Sequence, residues 1–341
     1  MASERMDRTA LVIGATGGIG SETARALLRR GWRVRALTRD TARAERDFAR
    51  LGAVQWIAGD ALRESDVVAA ARGASLIVHA ANPPGYRDWR GLALPMLKHA
   101  IAAARAARAR LVLPGNLYNF GPDAGEIVRE DSPQHPLTRK GRVRVEMEAL
   151  LAAAAADGVR SLVVRAGDYF GPHGPSSWFG NLMVRPGRPV RFIIYPGRHG
   201  VGHSFAFLPD LAEAIARLAE IEARLAPAEV VHFAGHWLER GEEIARAIRR
   251  AAGALGAPIL PFPAALLYLA APLNATLREA IEMRYLWRIP LRLDNRKLVS
   301  LIGPEPHTPL EDAVRVSLEA LGCLPAPPIE ADQADAAVPA M

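Results

Sequence analysis

The sequence predicts an α/β fold, a doubly wound parallel sheet followed by a smaller C-terminal lobe. Three observations carry this. The run Thr9-Ala-Leu-Val-Ile13 is continuously apolar, as a parallel strand covered on both faces must be. It breaks into glycines at Gly14, Gly17 and Gly20, after which Ser21–Arg30 sets Ala24, Leu27 and Leu28 at helical spacing. Strand-like and helix-like segments then alternate through five strands, the pattern of a parallel sheet with helices on both faces. At 341 residues the chain is long enough for one large α/β unit with an added lobe.

Strand, glycine turn and helix in that order make a dinucleotide site. The helix N-terminus brings unpaired N–H groups and a positive dipole end against the glycines, where a diphosphate can approach the backbone. Gly14, Thr16, Gly17, Gly18, Ile19 and Gly20 are the expected cradle, and their spacing is Gly-x-x-Gly-x-x-Gly. The second strand is Trp32–Thr38. At its end an acid takes the ribose hydroxyls of NAD, whereas an arginine favours the phosphate of NADP. Thr38 stands where the acid is sought and Arg39 follows, so NADP is expected ahead of NAD, with Asp40 one step late and placed to cap the next helix.

The third strand, Ala53–Ala58, runs into Gly59-Asp60-Ala61 and a helix over Leu62–Ala71. The fourth, Ser75–His79, ends in Ala80-Ala81-Asn82, small residues against which a nucleotide ribose can lie. A helix over Leu92–Ala107 leads to the fifth strand, Arg110–Pro114, and to the loop Gly115-Asn-Leu-Tyr-Asn-Phe-Gly-Pro122. Strand Ser161–Arg165 comes next, and Arg165 is counted among the cofactor contacts. Ligands on such sheets sit at the carboxyl ends of the strands, where all these loops lie. Beyond them, Glu229–Ala234 reads as a strand, Glu242–Arg250 as a helix and Leu310–Leu321 as the closing helix.

The formal charge of +7 comes from arginines scattered through alanine-rich helices, not from one basic block interleaved with aromatics, so no nucleic-acid partner is expected. The single Cys323 excludes an internal disulfide framework and a multi-cysteine metal site and fits a reducing cytoplasm. No basic, apolar leader precedes the first strand. His173, His199 and His203 lie close in sequence, yet lack the helical pairing or attendant carboxylate of a convincing metal site, so no metal is expected. Residues 251–277 carry no charge, but Pro258, Pro261, Pro263 and Pro272 break any simple spanning helix. That segment reads as a buried lobe helix or a subunit interface, the latter compatible with a homodimer.

Taken together, the glycine turn, Gly59-Asp60, His79-Ala-Ala, Gly167-Asp-Tyr-Phe-Gly-Pro172 and Phe207-Leu-Pro-Asp-Leu-Ala resemble the extended short-chain dehydrogenase/reductases, the NAD-dependent epimerase/dehydratase family. The resemblance implies a Rossmann NAD(P)-binding domain over 1–171 and 203–234 and a substrate lobe over 172–202 and 235–323, while Pro325, Pro327, Pro328 and an alanine-rich run point to a loose tail at 324–341. It implies that Asp60 meets the adenine amine. It also implies a Ser or Thr in the fifth-strand loop and a Tyr-x-x-x-Lys pair on the next helix, with the lysine holding the nicotinamide ribose and lowering the tyrosine pKa.

Aligning the loop on Phe120-Gly121 puts Asn116 at the Ser/Thr position, and aligning the helix on Pro136, Gly141 and Glu148 puts Lys140 at the tyrosine and Arg144 at the lysine. The spacing is kept while all three groups change. Arg144 can bind ribose or diphosphate but cannot exchange a proton near neutral pH. Lys140 is the candidate proton donor, with Arg144 favouring its neutral form, and a solvated surface lysine is the alternative. Tyr118 is the competing acid. Such departures resemble the atypical short-chain dehydrogenases. The expected function is an NADP(H)-dependent oxidoreductase or epimerase/dehydratase-like enzyme acting on a small organic molecule, the alternative a catalytically silent NADP(H) sensor.

Overall fold

The apolar run at Thr9–Ile13 is strand β1, buried along its whole length near the middle of a seven-stranded parallel sheet. A computed structural model of the chain describes residues 8–83, 88–172, 177–262 and 281–324. In chain order the strands are β1, β2 (Arg33–Thr38), β3 (Val54–Ala58), β4 (Leu76–His79), β5 (Arg110–Gly115), β6 (Ile127–Val128), β7 (Ser161–Ala166), β8 (Asp168–Phe170), β9 (Ile193–Tyr195), β10 (His203–Phe207), β11 (Ala228–Phe233), β12 (His236–Leu238), β13 (Ile259–Pro261) and β14 (Arg292–Leu293). The large sheet runs β11-β7-β5-β4-β1-β2-β3. Its order reverses between β1 and β4, and a ligand crevice opens outside the strand ends at such a reversal.

Alternation along β1 sends Ala10 and Val12 to one face and Leu11 and Ile13 to the other. The first face packs Leu27 of α1 (Gly18–Arg29) and Ile215 of α6 (Leu208–Glu220). The second packs Val67 of α3 (Glu64–Ala70), Leu97 of α4 (Trp89–Ala107) and Met147 of α5 (Arg139–Ala156). The short α2 (Thr41–Asp47) starts at Asp40, whose side chain accepts from the N–H of Arg43 at 2.9 Å, the capping role anticipated for it.

A third core lies beyond the sheet. It joins Leu117 and Phe120 from the loop after β5 to Phe170, Tyr195, Phe205 and Trp287, and to Val314 and Leu318 of the closing helix Leu310–Ala320. Around it run a three-stranded sheet ordered β12-β10-β8, the pairs β13-β9 and β14-β6, and α7 (Glu243–Ala251). Strands of two or three residues carry no readable period, which is why the sequence does not announce them. Helix starts also differ from expectation, the third beginning at Glu64 instead of Leu62. The first helix begins at Gly18 instead of Ser21, and the fourth at Trp89 instead of Leu92, where Asp88 accepts from the N–H of Gly91. Of the uncharged segment, Ala251 ends α7 and Ile259–Pro261 forms β13, while 263–277 lies outside the described residues, as does the tail from 325. Among the described residues no helix is long and apolar enough to cross a membrane.

Candidate active site

The three glycines of the turn do different work. Gly14 has φ +90°, and a Cβ there would lie 2.6 Å from the backbone N of Ala81. A Cβ on Gly20 would lie 2.1 Å from the carbonyl oxygen of Gly14. Both positions are therefore closed by the protein's own backbone. Gly17 has an ordinary φ of −98°, donates to the Gly14 carbonyl at 3.0 Å and would accept a Cβ with no contact nearer than 3.4 Å. Thr16 and Gly17 are exposed, Gly18 is half-buried, and Ile19 packs behind them. No side chain caps α1 and its first turn carries no acid. Its leading N–H groups are thus open to an anion, as the diphosphate of a dinucleotide requires.

Along the crevice, Thr38 is half-buried and Arg39 is exposed and unpaired among the described residues. Asp60 forms a local turn, accepting from the N–H of Leu62 on Oδ1 at 3.0 Å, while its own N–H donates to Asp66. Oδ2 of Asp60 has no partner among the described residues. The carbonyl of Ala61 meets Nδ1 of His99 at 3.0 Å.

At the end of β4, Ala80 donates to the carbonyl of Ile13 at 2.8 Å and holds this end against the glycine turn. His79 is 1% exposed, with no hydrogen-bond partner at either ring nitrogen. Burial, and then the guanidinium of Arg144, lower its pKa to about 4, so the ring is neutral at physiological pH. Because the folded pKa lies below the usual 6.5, the unfolded chain takes up the proton first and stability is lost as pH falls from about 6.5 toward 4. Urea unfolding at pH 7 and pH 4.5 should show this contribution as about 2–3 kcal/mol, absent from His79→Leu. An equal acid sensitivity in that variant would contradict it.

Helix α5 brings two cations to the same place. Thr138 caps it by accepting from the N–H of Gly141 at 2.9 Å, and Gly141 lies so close to the carbonyl of Tyr118 that no Cβ fits. Lys140 and Arg144, one turn apart, are 4% and 6% exposed. Lys140 Nζ is 5.6 Å and Arg144 Cζ 4.9 Å from the ring centre of Trp89 on α4, a cation–π arrangement. Arg144 Nη2 donates to Oδ1 of Asn82 at 3.2 Å, and its Nε is buried without a partner. Lys140 is therefore an interior group and not a solvated surface lysine. An orphaned guanidinium N–H beside the end of β4 suits the hydroxyls of a nucleotide ribose.

Beyond this lies a small cleft whose free volume is about 10 Å³, room for about one water. Asn116 and Tyr118 line it, together with Asp168, His203 and Ser204, and Leu117, Leu286 and Leu291 supply apolar wall. Asn116 spends Oδ1 on the N–H of Tyr118, at 3.0 Å, which leaves its amide N–H groups for other use. His203 meets Asp168 across 2.8 Å.

Residues 14–180 match the family model described as NAD(P)H-binding. This stretch, just under half of the chain, is similar to NAD(P)H-binding domains. A 3-diazoavenalumate denitrifying reductase from a Streptomyces species is 31% identical over 180 residues, which are 48% of this chain and 56% of that protein, so the match spans little more than half of the relative's length. Among solved structures, UDP-glucuronic acid 4-epimerase from Bacillus cereus in complex with NAD aligns at TM-score 0.72 and 16% identity, over 92% of this chain and 98% of that one. MoeE5 in complex with UDP-glucose and NAD gives TM-score 0.70 and 20% identity over the same shares. A nucleoside-diphosphate-sugar epimerase from Pseudomonas aeruginosa gives 0.68 and 18%, over 92% and 97%. At these identities the likeness is one of fold, a Rossmann-like α/β fold with a seven-stranded parallel sheet.

One of the expected cofactor contacts is reassigned. Arg165 is 2% exposed and its donors are taken: Nη2 meets Glu148 at 2.7 Å, Nη1 the carbonyl of Glu130 at 3.3 Å and the ring of His232 at 3.1 Å. It ties β7 to α5 and β11 and is not available to a cofactor. Glu148→Ala, which strands this guanidinium in the interior, should lower unfolding stability by about 3–5 kcal/mol in urea; a loss below about 1 kcal/mol would contradict the assignment. The pairing of Asp168 with His203 is what the sequence reading missed, although both residues lay in stretches it singled out. His199 is exposed and His173 lies outside the described residues. Among the described residues no three His, Cys, Asp or Glu side chains gather as a metal site.

Proposed function

We propose that the chain is an NADP(H)-dependent oxidoreductase of a small organic molecule, working with a cationic pair in place of the tyrosine and lysine that the resemblance leads one to expect. The observation that carries this is the burial of Lys140 and Arg144 together on Trp89, one turn apart, beside the end of β4. None of the six tyrosines is followed four positions later by a lysine, so the usual pair is not relocated elsewhere. The reductase name of the Streptomyces relative points the same way.

In this reading the glycine turn and the head of α1 bind the diphosphate, and Arg144 holds the nicotinamide ribose. The cofactor, when bound, supplies or accepts hydride. Asn116 orients the reacting substrate atom through its free amide N–H groups, and Lys140 delivers or takes the proton, with Tyr118 the competing acid because it lines the cleft. Residues 172–202 and 235–323 form the substrate lobe. The committed capping role of Asp40 and the exposed, unpaired Arg39 support NADP over NAD.

Titration of the protein with NADPH and NADH by calorimetry tests the preference, and NADH binding as tight as NADPH would overturn it. Arg39→Ala should weaken NADPH about 10- to 100-fold, the range of a charge-assisted hydrogen bond, and leave NADH nearly unchanged. Oxidation of bound NADPH across a panel of carbonyl and activated-alkene compounds tests turnover. Silence across the panel, with a partner that distinguishes the oxidised from the reduced form, is the result a sensor would give.

A further inference from the structure

Arg144 carries a charge that no carboxylate offsets among the described residues. It is 6% exposed, its hydrogen bond to Asn82 at 3.2 Å meets a neutral amide, its Nε has no partner, and Trp89 offers it the face of a neutral ring. Interior cations are ordinarily paired, because an isolated charge is costly to take out of water. The sequence around it explains the exception. From Leu76 in β4 to Ala107 at the end of α4 the only acid is Asp88, whose side chain caps α4 on the N–H of Gly91. Helix α5 has two acids, Glu146 and Glu148, which pair with Arg90 at 3.3 Å and with Arg165 at 2.7 Å. Glu148 stands one turn beyond Arg144, a spacing at which helical ion pairs form, yet Arg165 holds it.

The field of this charge reaches its neighbours. His79, at the end of β4, is kept neutral first by burial and then by the Arg144 guanidinium. A guanidinium stays charged at any physiological pH, and in an interior that salt screens little it acts on a nearby charge without touching it. The two forms of a nicotinamide cofactor differ in the charge of one ring, positive when oxidised and neutral when reduced. Adenosine, phosphates and riboses are the same in both, so contacts at the glycine turn cancel when the two are compared.

We propose that the uncompensated charge of Arg144 makes the site selective for redox state, holding the reduced cofactor at least tenfold more tightly than the oxidised one. The proposal rests on the reading that places the nicotinamide ribose beside Arg144. By linkage, a tenfold preference raises the reduction potential of the bound couple by about 30 mV. The oxidised cofactor left by hydride transfer to a substrate then departs more readily than the reduced form that replaces it. In a protein without turnover, the same preference reports the reduced fraction of the cofactor pool.

The test is calorimetric titration of the full chain with NADPH and NADP⁺ at about 0.1 M and about 0.5 M salt, with NADH and NAD⁺ titrated alongside. The reduced form should bind at least tenfold tighter at both salt concentrations, because a buried charge is screened far less than surface arginines are. Arg144→Met should bring the ratio of the two affinities close to one, whatever it does to each affinity separately. Arg144→Lys, which keeps the charge, should preserve most of the preference, and urea unfolding of both variants reports that they are folded. Absence of binding by all four dinucleotides would overturn the cofactor reading and the proposal with it. Equal affinity of the native chain for the two redox forms, a preference that collapses at the higher salt, or one that Arg144→Met leaves unchanged would overturn the proposal alone.

Discussion

Alanine at Gly14 is expected to cost about 2–5 kcal/mol of stability, while alanine at Gly17 leaves the fold intact and strikes the cofactor alone. At Gly14 two penalties combine. The backbone has φ +90°, which an L side chain adopts only under strain, and the new methyl would stand 2.6–2.8 Å from backbone atoms of Ala80 and Ala81 that cannot swing aside. Moving them would pull β4 from β1, where Ala10 to Ile13 pair with Leu76 to His79. At Gly17 the φ is ordinary and the nearest atom is 3.4 Å away, so the stability change should stay within about 1 kcal/mol, that of a weakened helix cap. The same methyl would stand in the exposed approach to the head of α1, and NADPH affinity should fall about tenfold or more through the loss of close hydrogen bonds to the diphosphate. Urea unfolding and calorimetry on both variants read the two effects separately. Full-affinity NADPH binding by Gly17→Ala would show that the diphosphate does not approach there.

Lys140→Met should lower turnover by about 10²–10⁴-fold with little change in cofactor affinity, the range for losing a general acid. Methionine keeps an unbranched apolar stem against Trp89, so lost packing is a minor part of the effect. Arg144→Met should act the other way, weakening the cofactor because its guanidinium is the group that reaches toward the ribose. A Lys140→Met protein that turns over normally with an unchanged pH profile, joined to an inactive Tyr118→Phe, would move the proton-transfer role to Tyr118.

The sheet and the glycine turn were legible because burial on both faces leaves an unmistakable apolar run and because strand and helix alternate at ordinary lengths. The two inward cations were half legible. Arg139, Lys140 and Arg142 read together as a solvated basic run, yet the helical period turns Lys140 and Arg144 to the interior while Arg139 and Arg142 stay exposed. Arg165 misled for a different reason. A buried arginine at a strand end looks the same in sequence whether it meets a ligand or a carboxylate, and its partner Glu148 lies 17 residues away on another element. Asp168 and His203 are 35 residues apart and are joined only through the pairing of two short strands without a readable period.

The most direct test of the central claim is a crystal structure of the chain with NADP(H) bound. The expected result has the diphosphate on the head of α1, Arg144 in hydrogen-bond reach of the nicotinamide ribose, and Lys140 Nζ within about 3 Å of the point above nicotinamide C4 where a substrate atom would receive its proton. A structure in which Lys140 stays turned to Trp89 while the Tyr118 hydroxyl occupies that point would contradict it.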